Sequence, residues 1–463
     1  MRPLTRPTPA PRPPTPTTRA ASVRCRIRVF DANDFAVTAK LGKAGFLSVS
    51  TLRPRPAARG GDNDSDDEHD SAGRGRPPSS ASALGGSQTV DQGAVEVTLY
   101  RGRIARGPLM GTRCLLKAYP AAGDALAANE LAAFASVQPV AVAAGAGTAG
   151  GGTSPSSTRG PYPWLAGGGP SPRAPPDPPR ASPHLAVLLG GFELASGERW
   201  LAFRDEGVLS ADAWARTAAA AGPGRPLGTQ PLLWARPART LRLRRAFALR
   251  TLRGVMRGLA CLHAADRTHG SLGPGSVLLS TGDEAEAPTL TARLADLAFS
   301  ADTSRASLVG GGTLGELWDM GGLALRVREA REAASPAAAV WREAAAAGAG
   351  APWDRPLYAK AADMAAAGAL VAYLALAPFS EPGSIDPLAV SRLLEVTCRG
   401  DVAAARTFVE ADPAWAGGAA MLGAGGGAGW DLVGQLINPS DWRGRPGPEA
   451  CLEHPFLTGA AFE

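Results

Sequence analysis

The chain reads as an α+β protein in which strands come first and helices after. Two strand-like runs, Val95–Ile104 and Thr112–Tyr119, are joined by a Gly/Pro turn. Two more, His184–Gly190 and Trp200–Phe203, follow a long break. Beyond residue 240 the apolar spacing turns helical: Leu252, Val255, Met256, Leu259 and Leu262 recur at three- and four-residue steps within Thr240–His263.

Met1–Phe30 carries seven Arg and no Asp or Glu among many Pro and Thr, the composition of an organelle transit peptide. Val23-Arg24-Cys25 resembles a plastid processing site, so the plastid (chloroplast) is the expected address and the mitochondrion the alternative. Residues 1–50 are assigned to this unstructured leader. Residues 51–90 combine Arg/Pro, the acidic run Asp62–Asp70 and Ser/Gly. Such a segment buries too little apolar surface to offset its ordering entropy and reads as a linker. The acidic run lacks EF-hand ligand spacing. Of the 463 residues, the first 60 hold 12 Lys/Arg against 2 Asp/Glu, so a net charge of +6 leaves −4 for the remainder. The basic isoelectric point therefore gives no reason to expect nucleic acid as a partner of the folded part. The five cysteines are scattered, with no CxxC or zinc spacing.

Order is expected to begin near Val95. Lys117 ends an apolar strand, where an ammonium needs an anionic partner; Glu130, within the helix-forming Ala127–Val137, offers one. Residues 139–183 form a Gly/Pro/Ser/Ala insertion of a length unusual inside a domain. Arg204–Gly207 reads as a polar connector. Arg236–Arg257 holds eight Arg and no acid, which reads as a solvated helix face or, alternatively, a contact for an anionic surface. Met364–Phe379 is apolar for 16 residues, short of the ~20 that span a bilayer, and is expected to be a core helix bounded by Asp363 and Pro378.

The strongest motif is His269–Leu279, HGSLGPGSVLL. It resembles the catalytic loop of protein kinases, His-Arg-Asp-Leu-Lys-Pro-x-Asn followed by an apolar strand. His269, Leu272 and Pro274 are in register. Ser271 stands at the catalytic Asp, Gly273 at the phosphate-contacting Lys and Ser276 at the metal-holding Asn. Leu294–Phe299 resembles Leu-x-Asp-Phe-Gly, with Asp296 kept and Leu297 and Ala298 substituted. Leu115-Leu116-Lys117 is similar to Val-Ala-Ile-Lys. Asp363–Gly368 resembles the start of the large lobe's central helix, and Arg445-Pro446 with His454-Pro455-Phe456 resembles the kinase C-terminus. Residues 300–355, the activation segment, contain no Ala-Pro-Glu, so Arg445 lacks the partner the family would supply.

The resemblance implies a bilobal protein-kinase fold: a small β-rich N-lobe at 91–205, interrupted by 139–183, and a larger helical C-lobe at 206–463. It places the glycine-rich loop at Gln92–Val97, where only Gly93 remains. It implies a nucleotide site of Lys117, Glu130 and Asp296, the last also ligating Mg2+, with ATP held weakly or not at all. Without a carboxylate at Ser271, a general base worth about 10²–10⁴ in rate is missing. The expected function is that of a pseudokinase, a scaffold for a protein partner. The alternatives are an active atypical protein kinase using Asp266 or Asp283 as base, and a small-molecule phosphotransferase, because HGSLGPGSVL also resembles His-Gly-Asp-x-x-Pro-x-Asn of aminoglycoside and choline kinases.

Overall fold

The computed structural model describes residues 27–45, 96–138, 182–207, 209–222, 225–228, 237–304, 344–349, 351, 353–438 and 442–462. Strands fill its first half and helices its second. This mixed α+β arrangement, a sheet lobe followed by a helical lobe, is consistent with the bilobal kinase fold.

The sheet lobe is built from β1 (Arg28–Val29), β2 (Phe35–Gly45), β3 (Glu96–Ile104), β4 (Arg113–Tyr119), β5 (Leu188–Glu193) and β6 (Arg199–Arg204), in the order β1-β5-β6-β4-β3-β2. Alternation along β4 sets its two faces. Cys114 and Leu116 join Ile104, Leu189 and Ala202 in an outer apolar cluster. Tyr119 packs instead into the main core with Phe134 of α1 (Asp124–Val137), and Lys117 shares its face.

The first described strand begins at Arg28, well before Val95. Residues 1–50 do not form one unstructured leader, because β1 pairs parallel with β5 and β2 pairs along its length with β3. A row of rings, Phe30–Phe35–Phe192–Trp200–Tyr100, crosses the outer sheet face at centroid spacings of 5.0–5.5 Å. Arginine-rich composition masked this apolar content. The expected strand His184–Gly190 also moves, to Leu188–Glu193. Gly190 and Gly191 read as a strand end, yet they lie inside the strand. A Cβ at Gly190 would sit 1.9 Å from the Arg28 carbonyl oxygen, so the bare backbone is what admits β1.

The helical lobe follows residues 205–207. A second sheet, β7 (Leu209–Ser210), β8 (Val277–Leu279) and β9 (Ala292–Leu294), underlies the cleft. Around it pack α2 (Ala211–Ala221), α3 (Pro237–Ala264), α4 (Asp354–Leu376), α5 (Pro387–Ser391), α6 (Val402–Ala411), α7 (Ala416–Ile437), α8 (Pro448–Glu453) and α9 (Pro455–Thr458). α4 is the one described helix long and apolar enough to cross a membrane, and 83% of its apolar window is buried in the core. It starts ten residues before the expected Met364. Asp363 does not close it: the carboxylate is buried inside the helix and serves the catalytic-type loop. Gly368 lets α7 approach, since a Cβ there would come within 2.8 Å of Leu436. α7 is interrupted at Ala424–Gly427, where three consecutive glycines have positive φ.

A buried ion pair fastens the lobe's periphery. Arg244 donates to Glu284 at 2.8 Å and to the carbonyls of Gly222, Arg225 and Pro378, so every arm of the guanidinium is used.

Candidate functional site

Lys117 sits at the centre of the cleft because period-2 alternation turns it off the outer cluster and toward α1. Its register partners are Leu99 and Leu201. Residues Ala127, Glu130 and Phe134 of α1 repeat at helical spacing and bury one face, which carries Glu130 into the protein. The ammonium donates to Glu130 Oε1 at 2.8 Å and to Asp296 Oδ1. The three residues that the sequence selected are therefore together.

The same carboxylates have further partners. Tyr119 Oη donates to Glu130 Oε2, and the Leu297 amide donates to Glu130 Oε1 at 3.2 Å. The Phe203 ring covers the ammonium at 4.9 Å. Burial by itself lowers an ammonium, but the charges of Asp296 and Glu130 outweigh it and hold Lys117 above its usual value. Burial, then the Glu130 charge, pushes Tyr119 well above the phenol range, so it stays a donor. The ammonium is neutralised by the protein's own side chains. An arriving phosphate would compete with two carboxylates already in place.

The substituted loop is closed on itself. The Ser271 hydroxyl donates to the Asp296 carbonyl at 3.1 Å. Ser276 Oγ accepts from the Gly273 amide at 3.1 Å and donates to the Gly273 carbonyl at 2.8 Å. The amides of His269 and Gly270 donate to Asp363 at 2.7 and 2.9 Å, and His263 Nε2 lies 3.0 Å from it. Gly270 (φ +76°) is needed there, because a Cβ would lie 2.1 Å from the Phe299 carbonyl oxygen. Burial holds the His269 imidazole below its usual value and thus neutral at pH 7. The scaffold contacts of the loop persist while no side chain at 271, 273 or 276 offers a carboxylate base, and both serine hydroxyls donate to backbone carbonyls.

The fit of a magnesium–nucleotide to these residues is poor. Asp296, at 29% exposure, is the carboxylate that could face a metal, and its Oδ1 is bonded to Lys117. Among the described residues no group of three His, Cys, Asp or Glu side chains could hold a metal ion. Mg2+ favours carboxylates and phosphate oxygens in near-octahedral geometry. In the connector between lobes, the Asp205 amide donates to the Arg113 carbonyl and the Glu206 amide to the Arg204 carbonyl, each at 3.0 Å. Two of the connector's backbone donors are thereby used, so a purine edge would have to displace them.

Of the expected glycine-rich segment Gln92–Val97, residues 92–95 lie outside the described residues; Glu96 and Val97 open β3 and pair with Gly45 and Ala44 of β2. Two residues escaped the sequence. Tyr119 lay two positions beyond Lys117, and strand alternation could have found it. Asn129 donates to the carbonyls of Ala298 and Ser300 at 2.8 Å, clamping α1 to the start of the activation segment; no sequence signal marks it.

Asp266 and Asp283, the substitute bases, are occupied elsewhere. Asp266 pairs with Lys360 at 2.9 Å, and Asp283 accepts from the Ala285 amide at 2.8 Å. Arg445 replaces its missing partner with the carbonyls of Ala361 and Asn438, at 3.0 and 3.1 Å. Most of the activation segment, 305–343, lies outside the described residues, as do all of 46–95 and 139–181.

No protein-family model matches the chain, and no curated protein matches it. Among solved structures it is similar to a twitchin kinase fragment of C. elegans, described as an autoregulated protein kinase with immunoglobulin domains, at 12% identity and a TM-score of 0.42. That alignment covers 95% of this chain and 61% of the other. The functional reading therefore rests on the side chains.

Proposed function

We propose that the chain is a pseudokinase: a kinase-like module that keeps the interlobe frame, transfers no phosphoryl group and serves as a scaffold for a protein partner. The observation that carries this is the loop at Ser271, whose hydroxyl is bound to the Asp296 carbonyl, so no carboxylate there accepts a substrate hydroxyl proton. The Lys117–Glu130 pair is one that active kinases also hold and belongs to the retained frame. ATP with Mg2+, if bound by Lys117 and Asp296, is bound weakly. The atypical-kinase reading lacks a base, because Asp266 and Asp283 are engaged away from Asp296. A small-molecule phosphotransferase would need the same missing carboxylate at 271.

Radiolabelled ATP turnover by the purified full chain, with Asp296→Ala as control, tests this. Turnover at the buffer level is expected. Turnover that Asp296→Ala abolishes would overturn the reading. We further propose a plastid address through residues upstream of Ile27, consistent with Val23-Arg24-Cys25 lying just before the first strand. A fluorescent fusion carrying only residues 1–26 should enter plastids; retention in the cytosol would remove that address.

A further inference from the structure

α3 carries a row of guanidiniums that the cleft does not use. Arg239, Arg242, Arg250, Arg253 and Arg257 fall on one face, about 80° wide at 3.6 residues per turn. The opposite face is buried through Phe247, Leu252, Val255, Met256 and Leu259. Gly254 and Gly258 press α3 onto β9, where a Cβ at either would come within 2.8 Å of Ala292 or Leu294. That close approach brings Arg250 and Arg257 into the field of Arg293 and His184.

The cluster at 250, 253 and 257 is uncompensated. None of the three forms an ion pair among the described residues, whereas Arg244 on the buried side has Glu284 and Arg293 has Glu206 at 3.1 Å. Burial and then the like charges of Arg257 and Arg250 lower Arg253. Two of the guanidiniums are also fixed in place. Arg250 Nε donates to the Leu290 carbonyl at 3.3 Å, and Arg253 Nε donates to the Leu457 carbonyl. Both bonds use only Nε, which leaves the paired Nη groups of each fork available. Bidentate oxyanion recognition uses such forks, and holding them beforehand reduces the entropy lost on binding. Like charges clustered by packing cost stability unless an anion is bound there.

We infer that this face docks a phosphorylated peptide segment of a protein partner. A phosphoryl group brings a charge of about −1.5 to −2 and three acceptor oxygens, which suits adjacent arginine forks better than a single carboxylate. A lipid surface fits less well. No large apolar side chain of α3, α8 or α9 is exposed, and an interfacial helix needs an apolar face to insert. Single-stranded nucleic acid would want exposed aromatics for stacking, and α3 exposes none. The inference is independent of whether the cleft binds nucleotide.

The test is fluorescence anisotropy of a labelled acidic peptide with one phosphoserine, titrated with the full chain. The same peptide carrying serine is expected to bind about tenfold more weakly, a difference of about 1.4 kcal/mol. Replacing Arg250, Arg253 and Arg257 together with Gln is expected to cost at least tenfold. Arg257→Gln alone breaks no described backbone bond and removes a like charge from beside Arg253, so it should weaken binding several-fold at a thermal midpoint no lower than the parent's. Equal affinity for the two peptides, or binding indifferent to Arg257→Gln and to the triple variant, would overturn the inference. So would vesicles containing phosphatidylserine, or a single-stranded RNA, outcompeting the phosphopeptide through the same arginines.

Discussion

Replacing Lys117 with Met tests whether the cleft's central cation holds the fold together. Lys117 is 3% exposed and Glu130 is 0% exposed, so the change strands one carboxylate in a dry environment. Breaking a buried pair by removing one partner costs about 3–5 kcal/mol. Asp296 is partly solvated, which favours the lower end, about 3 kcal/mol. At about 2.1 cal/mol/K per residue, the roughly 290 described residues make that a midpoint lowered by about 5 °C. Urea and thermal unfolding of the full chain provide the assay. The companion variant Lys117→Met/Glu130→Gln removes the stranded charge; the replacement side chain's amide oxygen accepts from the Leu297 amide and its NH2 donates to the Tyr119 hydroxyl, so it should recover most of the loss. The pH dependence follows from the direction of the Lys117 shift. Its folded value is raised, so its contribution is complete below the unfolded value of about 10.4 and is lost as pH rises through the higher folded value. A single variant as stable as the parent, or a double variant no better than the single, would refute the reasoning: Lys117 would then be a solvated ligand-binding residue and not a structural cation.

Glu284→Gln should destabilise the chain by about 3 kcal/mol or more in the same unfolding assay, because it leaves the Arg244 guanidinium buried without a counter-charge. Removing residues 1–26 should leave the thermal midpoint unchanged, whereas removing 1–45 deletes two strands and should lower it or abolish cooperative melting; equal midpoints would place β1 and β2 outside the folding unit. Gly190→Ala, which puts a methyl against the Arg28 carbonyl, should increase amide exchange at Val29 and Phe30 while sparing the helical lobe. Ser271→Asp alone should not restore ATP turnover, measured by radiolabel release, since Gly273 and Ser276 still lack the phosphate and metal contacts.

The side chains that meet in the cleft were legible because each sits inside a pattern. Lys117 lies within an apolar strand, Glu130 lies on a helix face, and Asp296 directly follows Leu294-Ala295. Sequence bounds for α3 and β6 fell within a few residues for the same reason. Residues 27–45 were misread because charge and proline content dominate a window that also contains Phe30, Phe35 and Leu41. The role of Asp363 was hidden for another reason: a carboxylate beside an apolar run looks like a cap, and only tertiary structure shows two backbone amides arriving from residue 269 onward.

β2 and β3 leave and rejoin the sheet at facing positions, Gly45 opposite Glu96. The fifty residues between them therefore begin and end within one strand spacing, about 5 Å. Excising them and closing the hairpin with a two-residue turn such as Asn-Gly would break none of the sheet's pairings. A shorter form of the protein that keeps the described β2–β3 pairing and α3 is thus available by deletion at this point.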